Sequence, residues 1–263
     1  SGPVRGVEGD LWADVVIGQN SFGHNAIRKT DAHSVHRPSG MVIDRANNRT
    51  YIADGNRNRI LGFNRILDDP SQPADIVIGQ PGFEDHSAGN GDSTQKTYPY
   101  LPPASADSLR INPAGQVSVT ETDCFTNMAV DDEGNLYVAD LFNNRVLKYN
   151  NPFSDDGIAD QVWGQDDFTG TEPNKGLSSS SAGSLWFSGL SIPIGGVDID
   201  WEGNLWVADR GNHRVLRFPK VGENISSEAD LVLGQPDFQS NSPGIGLTGL
   251  RSPGDVEIDP IRR

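Results

Sequence analysis

An aspartate and an arginine recur at a fixed spacing in three places along the chain. The arginine follows the aspartate by five residues, and each pair lies in one sixteen-residue frame. The pairs are Asp54 and Arg59 in NRTYIADGNRNRILGF, Asp140 and Arg145 in GNLYVADLFNNRVLKY, and Asp209 and Arg214 in GNLWVADRGNHRVLRF. A carboxylate and a guanidinium form a charge-assisted ion pair, and an aspartate also accepts hydrogen bonds from turn amides. Because a catalytic group would not be needed three times, we predict that these six residues are structural.

Histidine is the second residue type here that could do chemistry. His33 and His36 lie three residues apart, and His213 lies in the third copy of the frame. Imidazole nitrogens, together with carboxylates, bind zinc and other divalent metals. His33 and His36 have no histidine counterparts in the other copies, so we predict ordinary surface histidines and no cofactor. A divalent metal in a lyase or hydrolase, with its active centre at a channel mouth, stays open as the alternative.

The residues between each aspartate and its arginine vary from copy to copy. They read GNRN, LFNN and RGNH in chain order. Since the frame is constant, we expect specificity to lie in these variable residues and in the loops that surround them. We therefore predict a binding surface on this loop face, with the candidate residues Arg57, Asn143, Arg210, His213, His33 and His36.

The composition indicates a globular, acidic protein. The 263 residues include 30 glycines and 17 prolines, and the formal net charge is −15 from 21 basic and 36 acidic residues. Lysine and arginine contacts to phosphate supply most of the affinity for nucleic acids and anionic membranes, so we predict neither partner. No apolar run approaches the roughly 18 residues of a membrane span. We expect any signal peptide to lie outside this sequence, since SGPVRGVEGD lacks the basic and apolar regions of one.

Two further elements extend the repeat beyond the frame. The first reads ADVVIGQNSF at 13–22, ADIVIGQPGF at 74–83, ADQVWGQDDF at 159–168 and ADLVLGQPDF at 229–238, with its alanines 61, 85 and 70 residues apart. The second is a short apolar run that ends at Asp44, Asp131, Asp200 and Asp259. Self-similarity at such intervals is typical of a repeat architecture.

Each unit predicts four short strands, which in the first unit cover residues 40–44, 50–54, 59–63 and 75–79. These runs are rich in aliphatic and aromatic residues and are bounded by glycine, asparagine, aspartate or proline. Four antiparallel strands repeated along a chain are typical of propeller blades. We predict an all-β propeller region over 1–263, with full blades at about 38–83, 126–168 and 195–238 and partial-blade strands at 11–22 and 252–263.

The two frames GNLYVADLFNNRVLKY and GNLWVADRGNHRVLRF resemble the NHL repeat, which is named for an Asn-His-Leu tripeptide; NHRV at 212–215 is close to it. The ADLVLGQPDF element is similar to one in bacterial, often exported, NHL-repeat proteins. The resemblance covers about 13–259 and implies a β-propeller, often six-bladed, in a family of scaffolds, ligand binders and a few lyases. It also implies a location outside the cell, at its surface or in the periplasm.

Three full blades and two lone strands make fourteen predicted strands. Since open sheet faces would be exposed to water, we expect this chain to be part of a larger propeller, or another chain to cover its open faces. Strand parity places the turn between strands two and three at the same end as the long inter-blade connections, at 19–39, 80–127 and 165–195. We predict a non-enzymatic binding or scaffold module that uses this end to hold a protein or a glycan. The insertion 116–127 is predicted to form an additional hairpin arm.

Overall fold

The structure is a computed structural model that describes residues 13, 16–26, 28–64, 72–85, 103–111, 125–187 and 194–259. The strands within these residues are β1 (Pro38–Asp44), β2 (Arg49–Asp54), β3 (Arg59–Asn64), β4 (Ile76–Ile78), β5 (Phe125–Thr126), β6 (Met128–Val130), β7 (Leu136–Asp140), β8 (Arg145–Tyr149), β9 (Gln161–Trp163), β10 (Ile194–Gly195), β11 (Val197–Ile199), β12 (Leu205–Asp209), β13 (Arg214–Phe218), β14 (Lys220–Val221), β15 (Asn224–Ile225) and β16 (Leu231–Leu233). Short 3-10 turns cover Gly55–Arg57, Leu141–Asn143, Pro173–Gly176 and Arg210–Asn212. In this described part, no helix is long and apolar enough to cross a membrane.

Three antiparallel sheets of four strands carry the fold. Their strand orders are β1-β2-β3-β4 (blade 1), β6-β7-β8-β9 (blade 2) and β11-β12-β13-β16 (blade 3). Within each blade, every strand pairs with the next strand of that blade, and the small hairpin β14-β15 is inserted into blade 3. The predicted four-stranded propeller blades are thus confirmed.

The turn between the second and third strands has the same backbone form in every blade. The aspartate that ends the second strand is paired in register with the arginine that begins the third. A 3-10 turn joins them and ends at a residue with positive φ, which is Asn58 (49°), Asn144 (49°) or His213 (56°). Asparagine tolerates this left-handed conformation better than other residues that have a Cβ, which explains its recurrence before the arginine.

The hydrophobic core lies between adjacent blades. Side chains alternate between the two faces of a strand, so each blade packs one face on its predecessor and the other on its successor. Tyr51 and Ile60 of blade 1 share a buried cluster with Leu147 of blade 2. Trp163 of blade 2 shares another with Val207 of blade 3. Burial of these apolar faces, at about 25 cal/mol per Å², is the main force that holds neighbouring blades together.

The outer faces of the three-blade array are open within the described residues. Met41 of β1 is 57% exposed, whereas its counterpart in β6, Met128, is 3% exposed because blade 1 covers it. Leu233 of β16 is 47% exposed, whereas its counterpart Trp163 in β9 is fully buried. We still predict that a further sheet or another chain covers these faces.

The two predicted partial-blade strands do not form in the described residues. Residues 16–22 contain no strand, although Ile17 packs against the cluster of Leu61 and Phe63. Residues 252–259 also lack a ladder, and the amide of Ile258 donates instead to Asp198 Oδ2 at 2.6 Å. Residues 255 and 256 lie against Gly196, next to β11, without forming a ladder with it. Positions 11, 12, 14, 15 and 260–263 lie outside the described residues.

The predicted hairpin arm at 116–127 is described only at its end. Residues 116–124, including Cys124, lie outside the described residues. Phe125 and Thr126 form β5, which pairs in parallel with β10. This pairing ties the connection before blade 2 to the connection before blade 3.

Candidate functional site

The three Asp–Arg pairs are fully buried ion pairs. Each arginine Nε donates to the Oδ2 atom of the aspartate across the turn, at 2.9 Å for Arg59 and Asp54 and at 2.7 Å in the other two blades. All six side chains have no exposed surface. Burial raises the pKa of Asp209, while Arg214 beside it acts in the opposite direction.

Each pair also fastens two neighbouring chain segments to the turn. In blade 2, Arg145 Nη2 donates to the carbonyl of Ser108 at 2.9 Å, and Nη1 donates to the carbonyl of Phe168. Asp140 Oδ1 accepts from the backbone amide of Arg110 at 2.6 Å. The same bonds recur in the other blades through Ser34 and Phe83, and through Ser184 and Phe238. The pairs therefore join the segment that leads into each blade to the segment that leaves it.

We call each buried Asp–Arg pair, together with the two chain segments bonded to it, a joint. Two of the predicted binding residues lie inside these joints. Arg57 is buried and donates to Ser34 Oγ at 2.8 Å and to Asp54 Oδ2 at 3.3 Å. Asn143 is buried in the equivalent position and donates to Asp140 Oδ2 at 2.8 Å. Because both side chains are engaged inside the protein, we do not include them in the proposed binding surface.

A repeated glycine–glutamine dipeptide completes each joint and was not singled out from the sequence. The side-chain Nε2 atoms of three glutamines donate to the backbone carbonyls of the positive-φ residues, at 3.0–3.1 Å. The pairs are Gln80 with Asn58, Gln165 with Asn144, and Gln235 with His213. The preceding glycines have φ between 83° and 89°, and a Cβ there would meet an aliphatic side chain of the following lead-in segment. These pairs are Gly18 and Val35, Gly79 and Leu109, Gly164 and Leu185, and Gly234 and Leu250. The recurrence of GQ in all four copies was the available signal.

The residue after each of these aliphatic side chains is equivalent in the packing, and in the three blades its amide donates to the turn aspartate. We call these the lead-in residues, and they are His36, Arg110, Trp186 and Arg251. The carbonyls of Arg110 and Trp186 accept from the amides of the turn residues Phe142 and Gly211, at 3.0 and 2.7 Å. The Arg110 guanidinium carbon lies 5.7 Å from the centroid of the Phe142 ring, within the range of a cation–π contact.

The structure brings two other predicted residues together beside the last lead-in residue. Arg210 Nη1 donates to the carbonyl of Ser252 at 2.8 Å, and the amide of Ser252 donates to His213 Nδ1 at 2.9 Å. Burial and the positive charge of Arg251 lower the pKa of His213. A neutral ring that accepts at Nδ1 is consistent with this environment.

We use the name turn-side rim for seven partly or fully exposed residues that lie on these turns or directly after the packed aliphatic side chains. They are His36, Arg110, Phe142, Trp186, Arg210, His213 and Arg251. His33 is exposed on the same lead-in segment as His36, and its carbonyl accepts from Arg28 Nη1 at 3.1 Å. Burial and the charge of Arg57 lower the pKa of His36. The rim residues are arginines, histidines and aromatic side chains, and the same lead-in segments also carry the partly exposed Asp31 and the exposed Asp107.

No group of three or more histidine, cysteine, aspartate or glutamate side chains in the described residues is placed to hold a metal ion. His86 and Cys124 lie outside these residues. The metal-dependent lyase or hydrolase stays an alternative prediction.

Comparison with known proteins identifies one of the three units directly. Residues 194–218, which run from β10 to the end of β13, match the NHL repeat family. This chain contains an NHL repeat. Blades 1 and 2 carry the same frame and the same buried joint. A search of curated proteins gave no match.

Solved structures similar to the chain include proteins with several roles. Virginiamycin B lyase from Staphylococcus aureus is 12% identical over 81% of this chain and 44% of its own, with a TM-score of 0.37. A protein of unknown function and an auxiliary nutrient binding protein, both from Bacteroides thetaiotaomicron, are 14% and 7% identical. Each covers 82% of this chain, with 40% and 41% of their own chains covered and TM-scores of 0.40. This chain spans less than half the length of these proteins, and none of their activities is transferred to it.

The opposite end of the NHL blades is acidic. A cavity of about 510 Å³ lies between blades 2 and 3 at the turns joining their first and second strands. Its lining includes Asp131, Asp132, Glu133, Asp200, Glu202 and the half-exposed Trp201. Two lysines, Lys148 and Lys220, also line this cavity.

An indole hydrogen bond at this acidic end predicts a pH-dependent stability. Trp206 Nε1 donates to Asp200 Oδ2 at 2.8 Å. Burial raises the pKa of Asp200, but the hydrogen bonds from Trp206 and Asn204 outweigh burial and hold the pKa below its ordinary value. Since the folded-state pKa is depressed, the stabilisation is present at neutral pH and is lost as the pH falls below about 4.

We expect Trp206→Phe to lower the free energy of unfolding by about 1 kcal/mol at pH 7, since Asp200 is partly solvated, and by less at pH 3. Urea unfolding at both pH values measures the difference. Tyr51→Phe at the equivalent position of blade 1 is the control, because Tyr51 donates no hydrogen bond to Asp44 in the structure. An equal loss from Trp206→Phe at both pH values would show that packing alone is responsible.

Proposed function

We propose that this NHL-repeat chain is a non-enzymatic binding module that holds a protein or a glycan on its turn-side rim, outside the bacterial cell or at its surface. One observation carries the proposal. The residues that recur in every blade are buried in the joints, whereas the rim residues beside them differ from blade to blade. A rigid repeated frame with variable side chains at one end supports binding, since specificity requires differences that a structural role does not.

The rim side chains are of the types that contribute most to binding. Tryptophan and arginine dominate binding hot spots because they combine a large planar area with directed hydrogen bonds. Trp186, Phe142 and Arg110 are partly exposed, so part of each is accessible to a ligand. The joints beneath them hold the backbone in place and reduce the entropy lost on binding.

A ligand screen on glycan and peptide arrays, followed by titration calorimetry of the hits, tests this function. We expect Trp186→Ala to weaken binding of the ligand at least 10-fold, with the fold verified by circular dichroism. The matched control is Trp201→Ala, which removes a half-exposed tryptophan from the opposite end. A ligand whose affinity depends on Trp201 and not on Trp186 would refute the placement of the site.

A further inference from the structure

The segment that follows blade 3 has the features of a first strand without its partner. Residues 255–259 read DVEID and correspond to the first strands of the three blades, which end at the equivalent aspartate. Val256 and Ile258 are partly buried, whereas the three acidic residues around them are exposed. Such alternation is typical of a strand that packs one face on a sheet. Residues 255–258 nevertheless form no ladder with any part of the chain that the structure describes.

Contacts with blade 3 hold this segment beside β11. The amide of Ile258 donates to Asp198 Oδ2 in β11 at 2.6 Å. A Cβ at Gly196, directly before β11, would collide with Asp255. The segments before β6 and β11 are neighbours in a similar way, through the parallel pairing of β5 with β10. The segment therefore lies next to the first strand of blade 3, as the first strand of a following blade would.

The lead-in segment before it is one side of a joint. Leu250 packs on Gly234, as Leu185 packs on Gly164 in the preceding blade. In the three blades the next residue donates its amide to the turn aspartate at 2.6–2.8 Å. Arg251 is the fourth residue of this series, and the three turn aspartates already accept from its counterparts. A fourth joint would need a further aspartate.

The exposure of Leu247 indicates the same missing element. Leu247 lies three residues before Leu250, as Ala182 lies three residues before Leu185. The carbonyl of Ala182 accepts from the amide of Ala229, just before the last strand of blade 3, at 3.0 Å, and equivalent bonds form in blades 1 and 2. Leu247 is fully exposed. The place where a further blade would cover the lead-in segment is therefore uncovered.

The open face of blade 3 repeats the face that blade 2 buries. In register, Trp206, Val215 and Leu233 of blade 3 correspond to Tyr137, Val146 and Trp163 of blade 2. The blade 2 residues are buried, whereas Trp206 is partly exposed and Leu233 is nearly half exposed. The same kind of interface is thus prepared on blade 3.

The residues with which blade 3 covers blade 2 indicate what fits this face. They are alternate apolar residues of the second and third strands, namely Leu205, Val207, Leu216 and Phe218. All four belong to the sixteen-residue frame, which also supplies the turn aspartate. A hairpin with this frame would offer a strand to the edge of 255–258, an acceptor to the amide of Arg251 and an apolar face to Leu233. An unpaired strand edge binds a further strand through main-chain hydrogen bonds.

We propose that the open face of blade 3, together with the segment 247–259, binds a β-hairpin of a partner protein that carries the NHL frame. Its second-strand equivalent pairs with residues 255–258, its aspartate accepts from the amide of Arg251, and its alternate apolar residues cover Leu233. The pairing extends the interfaces between blades 1 and 2 and between blades 2 and 3. This surface is separate from the ligand site of the proposed function, and neither depends on the other.

A peptide with the sequence of residues 203–218, GNLWVADRGNHRVLRF, is the probe. Titration calorimetry measures its binding to the whole chain, and hydrogen exchange locates the bound peptide. We expect one peptide to bind per chain. The amides of residues 255–258 that enter the ladder should exchange at least 10-fold more slowly in the complex. A peptide of the reversed sequence, which has the same composition, should bind at least 10-fold more weakly.

Leu233→Glu and Met41→Glu are the matched variants of the chain. Each places a carboxylate on an open face, of blade 3 and of blade 1, and the two residues are 47% and 57% exposed. We expect Leu233→Glu to weaken the peptide at least 10-fold and Met41→Glu to change it less than 2-fold, with both folds verified by circular dichroism. Asp209→Leu within the peptide leaves the chain unaltered, and it should also weaken binding at least 10-fold because it removes the acceptor.

Three results would overturn the proposal. The first is binding that leaves exchange at 255–258 unchanged, or that the two chain variants weaken equally. The second is the absence of binding at peptide concentrations up to about 1 mM. The third is a dimer of the chain alone, detected by light scattering, that Leu233→Glu converts to a monomer, since the face would then bind a second copy.

Discussion

Arg145→Met is expected to destabilise the protein by about 3–5 kcal/mol, because it leaves the carboxylate of Asp140 buried without its partner. The arginine side chain is fully buried and makes hydrogen bonds to Asp140 and to the carbonyls of Phe168, Ser105 and Ser108. Methionine fills similar space but donates to none of these oxygens. The variant therefore loses the ion pair and leaves three carbonyls without this donor, which connects two chain segments to the turn.

Urea unfolding followed by circular dichroism measures this loss. Arg217→Met is the matched control, because Arg217 makes two bonds to Asp230, at 3.0 and 2.9 Å, on the surface of β13. Since that pair is solvated, we expect its loss to cost less than about 1 kcal/mol. The double variant Asp140→Leu with Arg145→Met should recover part of the stability, because no uncompensated charge remains. A cost for Arg145→Met as small as that for Arg217→Met would show that the joint does not hold blade 2 together.

The strands and hairpin turns could be predicted because their signals are local. Apolar alternation with asparagine and glycine at the ends indicates short strands, and the three copies of the frame confirm one another. The predicted strand at 59–63 is observed as Arg59–Asn64. Its pairing with the second strand follows from the short turn between them. The pairing of each aspartate with its arginine across the second and third strands could also be predicted from the sequence.

The exposure of the turn residues could not be predicted in the same way. Arg57 and Asn143 stand in a variable polar turn, where an exposed side chain is the ordinary expectation. They are buried because they bond to the aspartate of their own turn, and because Ser34, in the segment that leads into blade 1, also accepts from Arg57. That contact joins residues 23 positions apart. The one sequence signal for this burial was that all three copies have a hydrogen-bonding side chain at this position, namely Arg57, Asn143 and Asn212.

Of the lead-in residues, His36 was predicted as a binding candidate, whereas Arg110, Trp186 and Arg251 were missed for a related reason. Their equivalence depends on a glycine with positive φ in the preceding blade, against which Leu109, Leu185 or Leu250 packs. The distance from these residues to the sixteen-residue frame differs between copies, although the runs DAHSVH, SADSLR and SAGSLW align with one another. The packing on the glycines shows that the residue after each aliphatic side chain has an equivalent place.

Trp163→Ala is expected to cost about 3–5 kcal/mol, since it removes a fully buried tryptophan between blades 2 and 3. The indole packs against Tyr137, with ring centroids 6.1 Å apart, and its Nε1 donates to the carbonyl of Ser226 at 2.8 Å. Alanine leaves a cavity at this contact and removes the donor for that carbonyl. Trp163→Leu should cost less, because a leucine side chain refills part of the space.

Leu233→Ala is the control for this prediction. Leu233 has the same position on the last strand of blade 3 as Trp163 has on the last strand of blade 2. Leu233 is nearly half exposed within the described residues, so its truncation should cost less than about 1.5 kcal/mol. Urea unfolding of the three variants compares the two positions under one condition. A cost for Leu233→Ala close to that for Trp163→Ala would contradict the open face. Truncation of a half-exposed leucine cannot lower the free energy of unfolding that much. Such a result would therefore mean that another sheet packs on blade 3 in solution, as blade 3 packs on blade 2.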